Sequence, residues 1–273
     1  MNNFALRSVT GAGFVVVMIG SALLGQVVFS LLMFIVSLFG LLEYNGLWQG
    51  KSPFRLNQYL AVIVGMLVYT SLALNAAGVL PASFLLLNIP LFFIIFIAEL
   101  WRAKEQPFVN IGLSLAGIIY IPFSLGLSIY FFDPINSSGP MHYGTMIGFL
   151  FILWLNDTGA YLFGSWLGRN KLFPRISPGK SWEGSIGGVL VALLTAYGFS
   201  FLFPIFPAWK WLIMGLIIVV TGTLGDLVES MMKRSLGVKD SGSLLPGHGG
   251  ILDRFDAFLM AVPFVFVFLT LVS

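Results

Sequence analysis

The stretch from Ser230 to Asp256 concentrates charged side chains in a chain that is otherwise mostly apolar. It reads SMMKRSLGVKDSGSLLPGHGGILDRFD. Lys and Arg side chains can neutralise phosphate oxygens, and Arg can do so through two parallel hydrogen bonds. This mixture of cations, carboxylates and glycines indicates a site that holds phosphate and a metal ion together. The candidate catalytic residues are Lys233, Arg234, Lys239, Asp240, His248 and Arg254.

Acids within or beside apolar runs form the second chemically capable group, because a carboxylate in a membrane span is costly and usually functional. Carboxylate oxygens suit Mg²⁺, which proteins usually hold with a few carboxylates, substrate phosphates and water. Two of these acids lie three residues apart, so they project from one helix face. The alternative is that the acids only form salt bridges with nearby Lys and Arg. The candidate metal ligands are Asp157, Asp226, Asp253 and Asp256.

Two segments rich in glycine or serine are candidate phosphate cradles. In Pro246–Gly250, glycines before a helix start let backbone N–H groups approach an anion, and we take Gly249 and Gly250 as substrate-binding. The alternative for this segment is an ordinary loop. The segment Ser177–Gly184 leads into another helix, and its alternative is an ordinary capped helix start. The substrate-binding candidates in this second segment are Ser177, Lys180 and Ser181.

The composition indicates that the elements positioning these groups lie in a membrane. Of the 273 residues, 58% are hydrophobic and 9% are charged, whereas a soluble domain is roughly 25% charged. Such a chain cannot cover its surface with polar groups, so the sequence predicts an integral membrane protein. The chain has no cysteine, which excludes disulfides, thiolate metal sites and a cysteine nucleophile.

The apolar runs predict an all-α, polytopic membrane protein with about nine transmembrane helices, since a helix needs about 20 apolar residues to cross the hydrocarbon core. The first two runs are joined so tightly that a re-entrant pair is an alternative to two full spans. We assign residues 1–140 to N-terminal scaffold helices, which could also supply dimer contacts, and residues 141–273 to a C-terminal catalytic region. The predicted spans are 8–26, 28–43, 58–78, 81–101, 108–130, 142–167, 184–204, 208–230 and 255–272.

The basic residues are distributed unevenly between the predicted loops. With nine spans, only Lys210 of the 14 Lys and Arg residues falls on the side opposite the N-terminus. The positive-inside rule therefore puts the N-terminus and the active site on the cytoplasmic face and the C-terminus outside. The same rule explains basic loops without any chemistry, which is the alternative interpretation of the cations.

The motifs resemble those of phosphatidate cytidylyltransferases, also called CDP-diacylglycerol synthases, in their bacterial membrane-embedded form. The family's pattern is Ser-x-apolar-Lys-Arg, four residues, Lys-Asp-x-small, two residues, apolar-Pro-x-His-Gly-Gly, two residues, Asp-Arg-apolar-Asp. The family also tends to carry Asp-Thr-Gly-Ala-Tyr, as at residues 157–161, and Ser-Pro-x-Lys-Thr-x-Glu-Gly, present here with Ser181 in place of Thr. The first pattern is matched by Ser230, Met232, Lys233, Arg234, Lys239, Asp240, Gly242, Leu245, Pro246, His248, Gly249, Gly250, Asp253, Arg254 and Asp256.

The resemblance implies a nucleotidyltransferase that moves CMP from CTP to phosphatidate, giving CDP-diacylglycerol and pyrophosphate for phospholipid biosynthesis. It implies Mg²⁺ as the cofactor, leaves a second cation open, and places the chain in the cell (inner) membrane. The expected partners are CTP, phosphatidate and the lipid bilayer, with no nucleic acid, and a homodimer is left open. Two alternatives remain: another CTP-dependent membrane lipid enzyme such as a polyprenol kinase, and a membrane transporter.

Overall fold

The computed structural model describes residues 3–51, 54–132, 140–242 and 249–272, and these are predominantly helical. This architecture confirms the predicted all-α class. Three short 3₁₀ or π segments, Ala82–Leu87, Ile119–Phe123 and Ile129–Phe131, continue or join the α-helices. The α-helices and strands are α1 (Asn3–Leu23), α2 (Gln26–Lys51), α3 (Gln58–Ala76), α4 (Asn88–Arg102), α5 (Pro107–Ile118), α6 (Ser124–Ser128), α7 (Pro140–Leu167), β1 (Lys171–Phe173), β2 (Ser177–Ser181), α8 (Trp182–Leu202), α9 (Ala208–Ser235) and α10 (Leu252–Val272).

Within the described ranges, eight helical segments are long and apolar enough to cross a membrane, and a shorter apolar helix covers Val9–Leu23. Together they occupy the nine positions predicted from the apolar runs, so the chain is a multi-pass membrane protein. The second predicted span was too short: it ended at Glu43, whereas the helical span runs over Gln26–Gln49. The helix continues because Tyr44 and Asn45 are buried and the Tyr44 hydroxyl donates to the Leu113 carbonyl.

The chain forms two compact units whose bounds differ from the predicted division at residue 140. Unit 1 comprises Met1–Tyr130 and Ser235–Phe255, and unit 2 comprises Phe131–Arg234 and Asp256–Ser273. The described residues between α9 and α10, 236–242 and 249–251, thus pack with the N-terminal helices. The assignment of scaffold and catalytic roles to the two halves stays a prediction.

Small residues let the helices of unit 1 approach closely. A Cβ at Gly65 of α3 would lie 2.7 Å from a methyl group of Leu41, and one at Gly117 of α5 would lie 2.7 Å from the ring of Tyr44. The two glycines therefore allow α3 and α5 to lie close to α2. Close backbone approach of this kind is typical of helix interfaces in membranes, where packing and not hydrophobic burial drives association.

In unit 2, α7 and α8 pack through glycines on both helices. A Cβ at Gly159 of α7 would lie 2.9 Å from Val191, and a Cβ at Gly188 of α8 would lie 2.6 Å from the Asn156 side chain. At Gly187 a Cβ would overlap the Phe163 ring. These contacts fix α8 against the part of α7 that carries Asp157.

A small hairpin joins α7 to α8 where the sequence predicted only a polar loop. Strands β1 and β2 are antiparallel, with Lys171 opposite Ser181, Phe173 opposite Ser177, and an irregularity in register between these pairs. Strands of three and five residues with little alternation of apolar and polar side chains give no recognisable pattern in the sequence. The hairpin holds the Ser177–Ser181 segment in a fixed conformation beside the start of α8.

Candidate functional site

The crossing of α9 and α10 in unit 2 brings two of the predicted metal ligands together. A Cβ at Gly225 would lie 2.5 Å from the Asp256 carbonyl oxygen and 2.7 Å from the Met260 Cβ, so only glycine fits there. The next residue along α9 is Asp226, and its carboxylate lies within electrostatic range of Asp256. The close helix crossing therefore places two carboxylates near each other.

Lys180 of β2 places a positive charge beside Asp226 and Asp256. Its Nζ lies 2.6 Å from the Asp226 Oδ2, and both side chains remain partly exposed, at 27% and 38%. Asp157 lies within electrostatic range of Lys180 and Asp226, and Asp256 within range of Lys180 and Asp157 as well. We call these four residues the acidic cluster: three carboxylates around one lysine, all in unit 2.

Local contacts at the start of α8 hold Lys180 in place. The carboxylate of Glu183 accepts hydrogen bonds from the backbone N–H groups of Arg169 and Asn170 and from the Asn170 side chain, at 2.7 to 3.2 Å. A Cβ at Gly184 would lie 2.7 Å from the Ala160 carbonyl oxygen of α7. The Glu-Gly pair that ends the Ser-Pro-x-Lys-Thr-x-Glu-Gly motif thus links the hairpin and α8 to α7, the helix that bears Asp157.

The two serines predicted to bind substrate in this segment have different surroundings. Ser181 is the N-cap of α8: its Oγ accepts a hydrogen bond from the Gly184 N–H at 3.2 Å, and the residue is only 5% exposed. This matches the alternative of a capped helix start. Ser177 is half-buried at the start of β2. A substrate contact by either serine stays a prediction.

The acidic cluster has the donor chemistry of a magnesium site but does not form a complete cage. Among the residues that the structure describes, no three His, Asp or Glu side chains are grouped so that they could hold a metal ion by themselves. Mg²⁺ usually takes only one or two protein carboxylates and completes its octahedron with substrate phosphates and water. Two neighbouring carboxylates such as those of Asp226 and Asp256 fit that requirement.

The basic end of α9 contains a buried ion pair. Lys233 Nζ lies 2.5 Å from an oxygen of Glu229, one helical turn earlier, and the Glu229 side chain is 1% exposed. The ammonium group that we predicted to neutralise triphosphate therefore already has a carboxylate partner on its own helix. Arg234, the next residue, is exposed.

In unit 1, the remaining part of the charged motif surrounds the first turn of α10. Asp253 Oδ2 accepts hydrogen bonds from the backbone N–H groups of Ser241 and Gly250 at 2.9 and 2.8 Å, and it lies 2.9 Å from the Ser241 hydroxyl oxygen. Gly249 has a positive φ of 82°, and a Cβ there would lie 2.5 Å from Asp253 Oδ2. The glycines predicted to approach phosphate thus also allow the backbone to close around Asp253.

The other predicted residues of this segment are either exposed or not described. Lys239, Asp240 and Arg254 are exposed side chains of unit 1. His248 lies outside the described residues. The catalytic roles assigned to these four residues stay predictions.

The sequence interpretation missed Glu43 of α2. Its carboxylate accepts hydrogen bonds from the Ser241 hydroxyl at 2.6 Å and from the N–H groups of Ile251 and Leu252 at 2.9 and 3.1 Å. The available signal was an acid in an apolar run, the same signal that identified Asp157. It was overlooked because Glu43 was taken as the polar end of a span.

Comparison with known proteins relates this arrangement to one family. The model of the Cytidylyltransferase family matches residues 5–272. The phosphatidate cytidylyltransferase of Staphylococcus aureus (strain COL) is 44% identical over 164 residues, which cover 59% of this chain and 60% of that protein. The proteins of the same name from Staphylococcus haemolyticus (strain JCSC1435) and Staphylococcus epidermidis (strain ATCC 35984) are 42% and 40% identical over 163 residues, with the same coverage.

The match to these curated relatives spans about 60% of their length, whereas the family model extends over nearly the whole chain. The motifs at the acidic cluster and at the start of α10 agree with the resemblance inferred from the residues. The chain belongs to the cytidylyltransferase family.

Proposed function

We propose that the protein transfers CMP from CTP to phosphatidate, releasing pyrophosphate and forming CDP-diacylglycerol for phospholipid biosynthesis. The observation that carries the proposal is the acidic cluster, which groups Asp157, Asp226 and Asp256 around Lys180 within a multi-pass membrane protein. Salt bridges alone do not require three carboxylates beside one lysine in a membrane protein. The substrates are suggested by the printed names of the relatives.

The reaction joins two polyanions, so its main barrier is electrostatic. An oxygen of the lipid phosphate attacks the α-phosphorus of CTP, the new P–O bond forms, and the bond to the β-phosphate breaks with pyrophosphate leaving. A phosphomonoester has a second pKa of about 6, so the attacking phosphate is already largely anionic at neutral pH. Catalysis then requires positioning and charge neutralisation more than a strong general base.

Each member of the acidic cluster has a distinct role in this proposal. Asp226 and Asp256 would hold Mg²⁺, and Asp157 would orient Lys180 or contribute to the metal site. Mg²⁺, when bound, offsets the charge that develops on the departing pyrophosphate. The Lys180 ammonium has three donors and no acceptor, so it can bond to a phosphate oxygen while it stays beside Asp226.

The cations and acids of the charged motif complete the proposal. In this proposal Lys233, Arg234, Lys239 and Arg254 would supply positive charge for the triphosphate, and Asp253 would be a further metal ligand. These roles rest on the family motif. Three of the four cations are exposed, so they are accessible to a nucleotide.

The distribution of basic residues supports a cytoplasmic active site in the cell (inner) membrane, where CTP is available. The proposal also includes a homodimer, as the simplest assembly of the chain.

The test is to incubate the purified protein with phosphatidate, Mg²⁺ and CTP labelled at either the α- or the γ-phosphate. The proposal predicts that the α-label enters the lipid and that the γ-label leaves as pyrophosphate. Transfer of the γ-label to lipid would identify a kinase instead. Absence of α-label in lipid under every metal condition would overturn the proposed function.

A further inference from the structure

Glu43 lies far from the charged motif in the chain but contacts its segment directly. Within unit 1, Glu43 Oε1 accepts from the Ser241 hydroxyl and from the Leu252 N–H, and Oε2 accepts from the Ile251 N–H. The two N–H groups lie at the start of α10, where backbone donors have no partner within the helix. A carboxylate is favoured there because the helix dipole puts partial positive charge at this end.

The same hydroxyl contacts a second carboxylate. Ser241 Oγ lies 2.6 Å from Glu43 Oε1 and 2.9 Å from Asp253 Oδ2. Asp253 also accepts from the N–H groups of Ser241 and Gly250. The start of α10 is thus clamped from two sides, by an acid of α2 and by an acid of α10 itself.

The glycines of the segment fit this clamp. A Cβ at Gly242 would lie 2.6 Å from Glu43 Oε2, and one at Gly250 would overlap both Glu43 Oε1 and the Ser241 hydroxyl. Glu43 therefore leaves little room for a side chain at two positions of the family motif. This close approach links α2 to the geometry of the motif.

We propose that Glu43 is a positioning residue for nucleotide transfer: it holds Ser241 and the first residues of α10, Ile251 and Leu252, and thereby the orientation of Asp253. The inference deepens the proposed function and rests on it. Glutamine at position 43 keeps one acceptor oxygen but turns the other into an amide donor, which would face an N–H or O–H donor. The segment then loses at least one of its three bonds to α2.

The test combines activity with hydrogen exchange in the full-length protein, reconstituted in phosphatidate-containing nanodiscs. In Glu43→Gln we expect kcat for CDP-lipid formation to fall about tenfold, equivalent to about 1.4 kcal/mol in the barrier. We expect exchange to accelerate at the amides of residues 250–253 but not in α3. Glu105→Gln, which changes an exposed acid between α4 and α5, is the matched control and should leave both readouts unchanged.

A double variant separates positioning from a general loss of stability. If Glu43 and Ser241 act through the same segment, Glu43→Gln with Ser241→Ala should lower kcat no further than the more damaging single change, because coupled sites are not additive. Multiplicative losses would contradict the inference. So would a normal kcat in Glu43→Gln, or a reduced kcat with unchanged exchange at residues 250–253.

Failure of the proposed function can be distinguished from failure of the role proposed for Glu43. An inactive wild-type protein would overturn the proposed function at the first step, before any variant is compared. An active wild type with an equally active Glu43→Gln variant would overturn only the role of Glu43.

Discussion

The two units use the same chemical group, a carboxylate next to a membrane helix, in two different ways. In unit 1, Glu43 and Asp253 accept hydrogen bonds from backbone N–H groups, and the Ser241 hydroxyl lies within hydrogen-bond distance of both carboxylates. In unit 2, the carboxylates of the acidic cluster lie within range of one another and of Lys180. The first arrangement stabilises a backbone conformation. The second concentrates negative charge, which a bound cation would neutralise.

The two groups of acids also differ in the free-energy cost of keeping their carboxylates ionised. A carboxylate that accepts several N–H bonds is stabilised in its charged form. Carboxylates that face one another repel unless a cation intervenes. Proteins keep such repulsive groups where they serve catalysis or binding. The comparison therefore predicts the largest losses of activity from changes in the acidic cluster. Changes to acids whose bonds are internally satisfied should affect stability, and should affect activity only where, as proposed for Glu43, the acid positions a segment of the charged motif.

Asp256→Asn should have the largest effect. Loss of one carboxylate from the acidic cluster removes a proposed metal ligand, and we expect kcat to fall by about 100-fold, the scale for losing one electrostatic stabiliser of a transition state. The measurement is the rate of CDP-lipid formation at matched amounts of folded protein. Activity within about threefold of the wild type would remove Asp256 from the metal site.

Lys180→Gln should rank next. The change removes the cation that lies 2.6 Å from Asp226 and leaves three carboxylates without it, so we expect about a 30-fold loss of kcat/KM for CTP. Lys180→Arg keeps the charge and should retain more activity than Lys180→Gln. Equal loss in both variants would show that the charge itself is not what matters, which would contradict the role given to Lys180.

These two residues illustrate what sequence could and could not predict. Asp256 and Lys180 were identified because family motifs and acids in apolar runs are local signals. The bond between Lys180 and Asp226 was not predictable, because it depends on how the hairpin β1–β2 sits against α9 within unit 2. The span positions followed from the apolar runs, since lipid leaves few alternatives to helices.

Glu43 shows what a local sequence pattern cannot predict. Its partners Ser241, Ile251 and Leu252 lie about 200 positions away in the chain, and no local pattern connects them. Treating the acid as the end of a span shortened α2 and hid its role. A charged residue can continue a membrane helix when donors from another segment satisfy it, and that is a property of the folded unit.

Glu99→Gln should sharpen the comparison from the structural side. Glu99 is 6% exposed, and its carboxylate accepts from Arg102 at 2.7 Å and from the Asn110 side chain at 2.9 Å in unit 1. Weakening these bonds should lower the free energy of unfolding by about 1–3 kcal/mol, with kcat of the folded protein unchanged. Denaturant unfolding in detergent, followed by activity per folded molecule, measures both. A large loss of kcat with normal stability would break the distinction between the two units.

Ser181→Ala should have the smallest effect. Removing the N-cap hydroxyl of α8 should cost about 1 kcal/mol of stability, and kcat should stay close to that of the wild type if capping is its main role. Ser181→Thr keeps the capping oxygen and should restore stability. If Ser181→Ala instead raises KM for CTP strongly at unchanged stability, the hydroxyl binds substrate as first predicted from the sequence.

The central claim is that the acidic cluster of unit 2 carries out CMP transfer. The most direct measurement compares the initial rate of transfer from α-labelled CTP to phosphatidate in wild type, Asp226→Asn and Glu99→Gln, at equal amounts of folded protein with Mg²⁺. We predict a loss of up to about 100-fold in Asp226→Asn and a near-normal rate in Glu99→Gln. A near-normal rate in Asp226→Asn, or equal losses in both variants, would contradict the account.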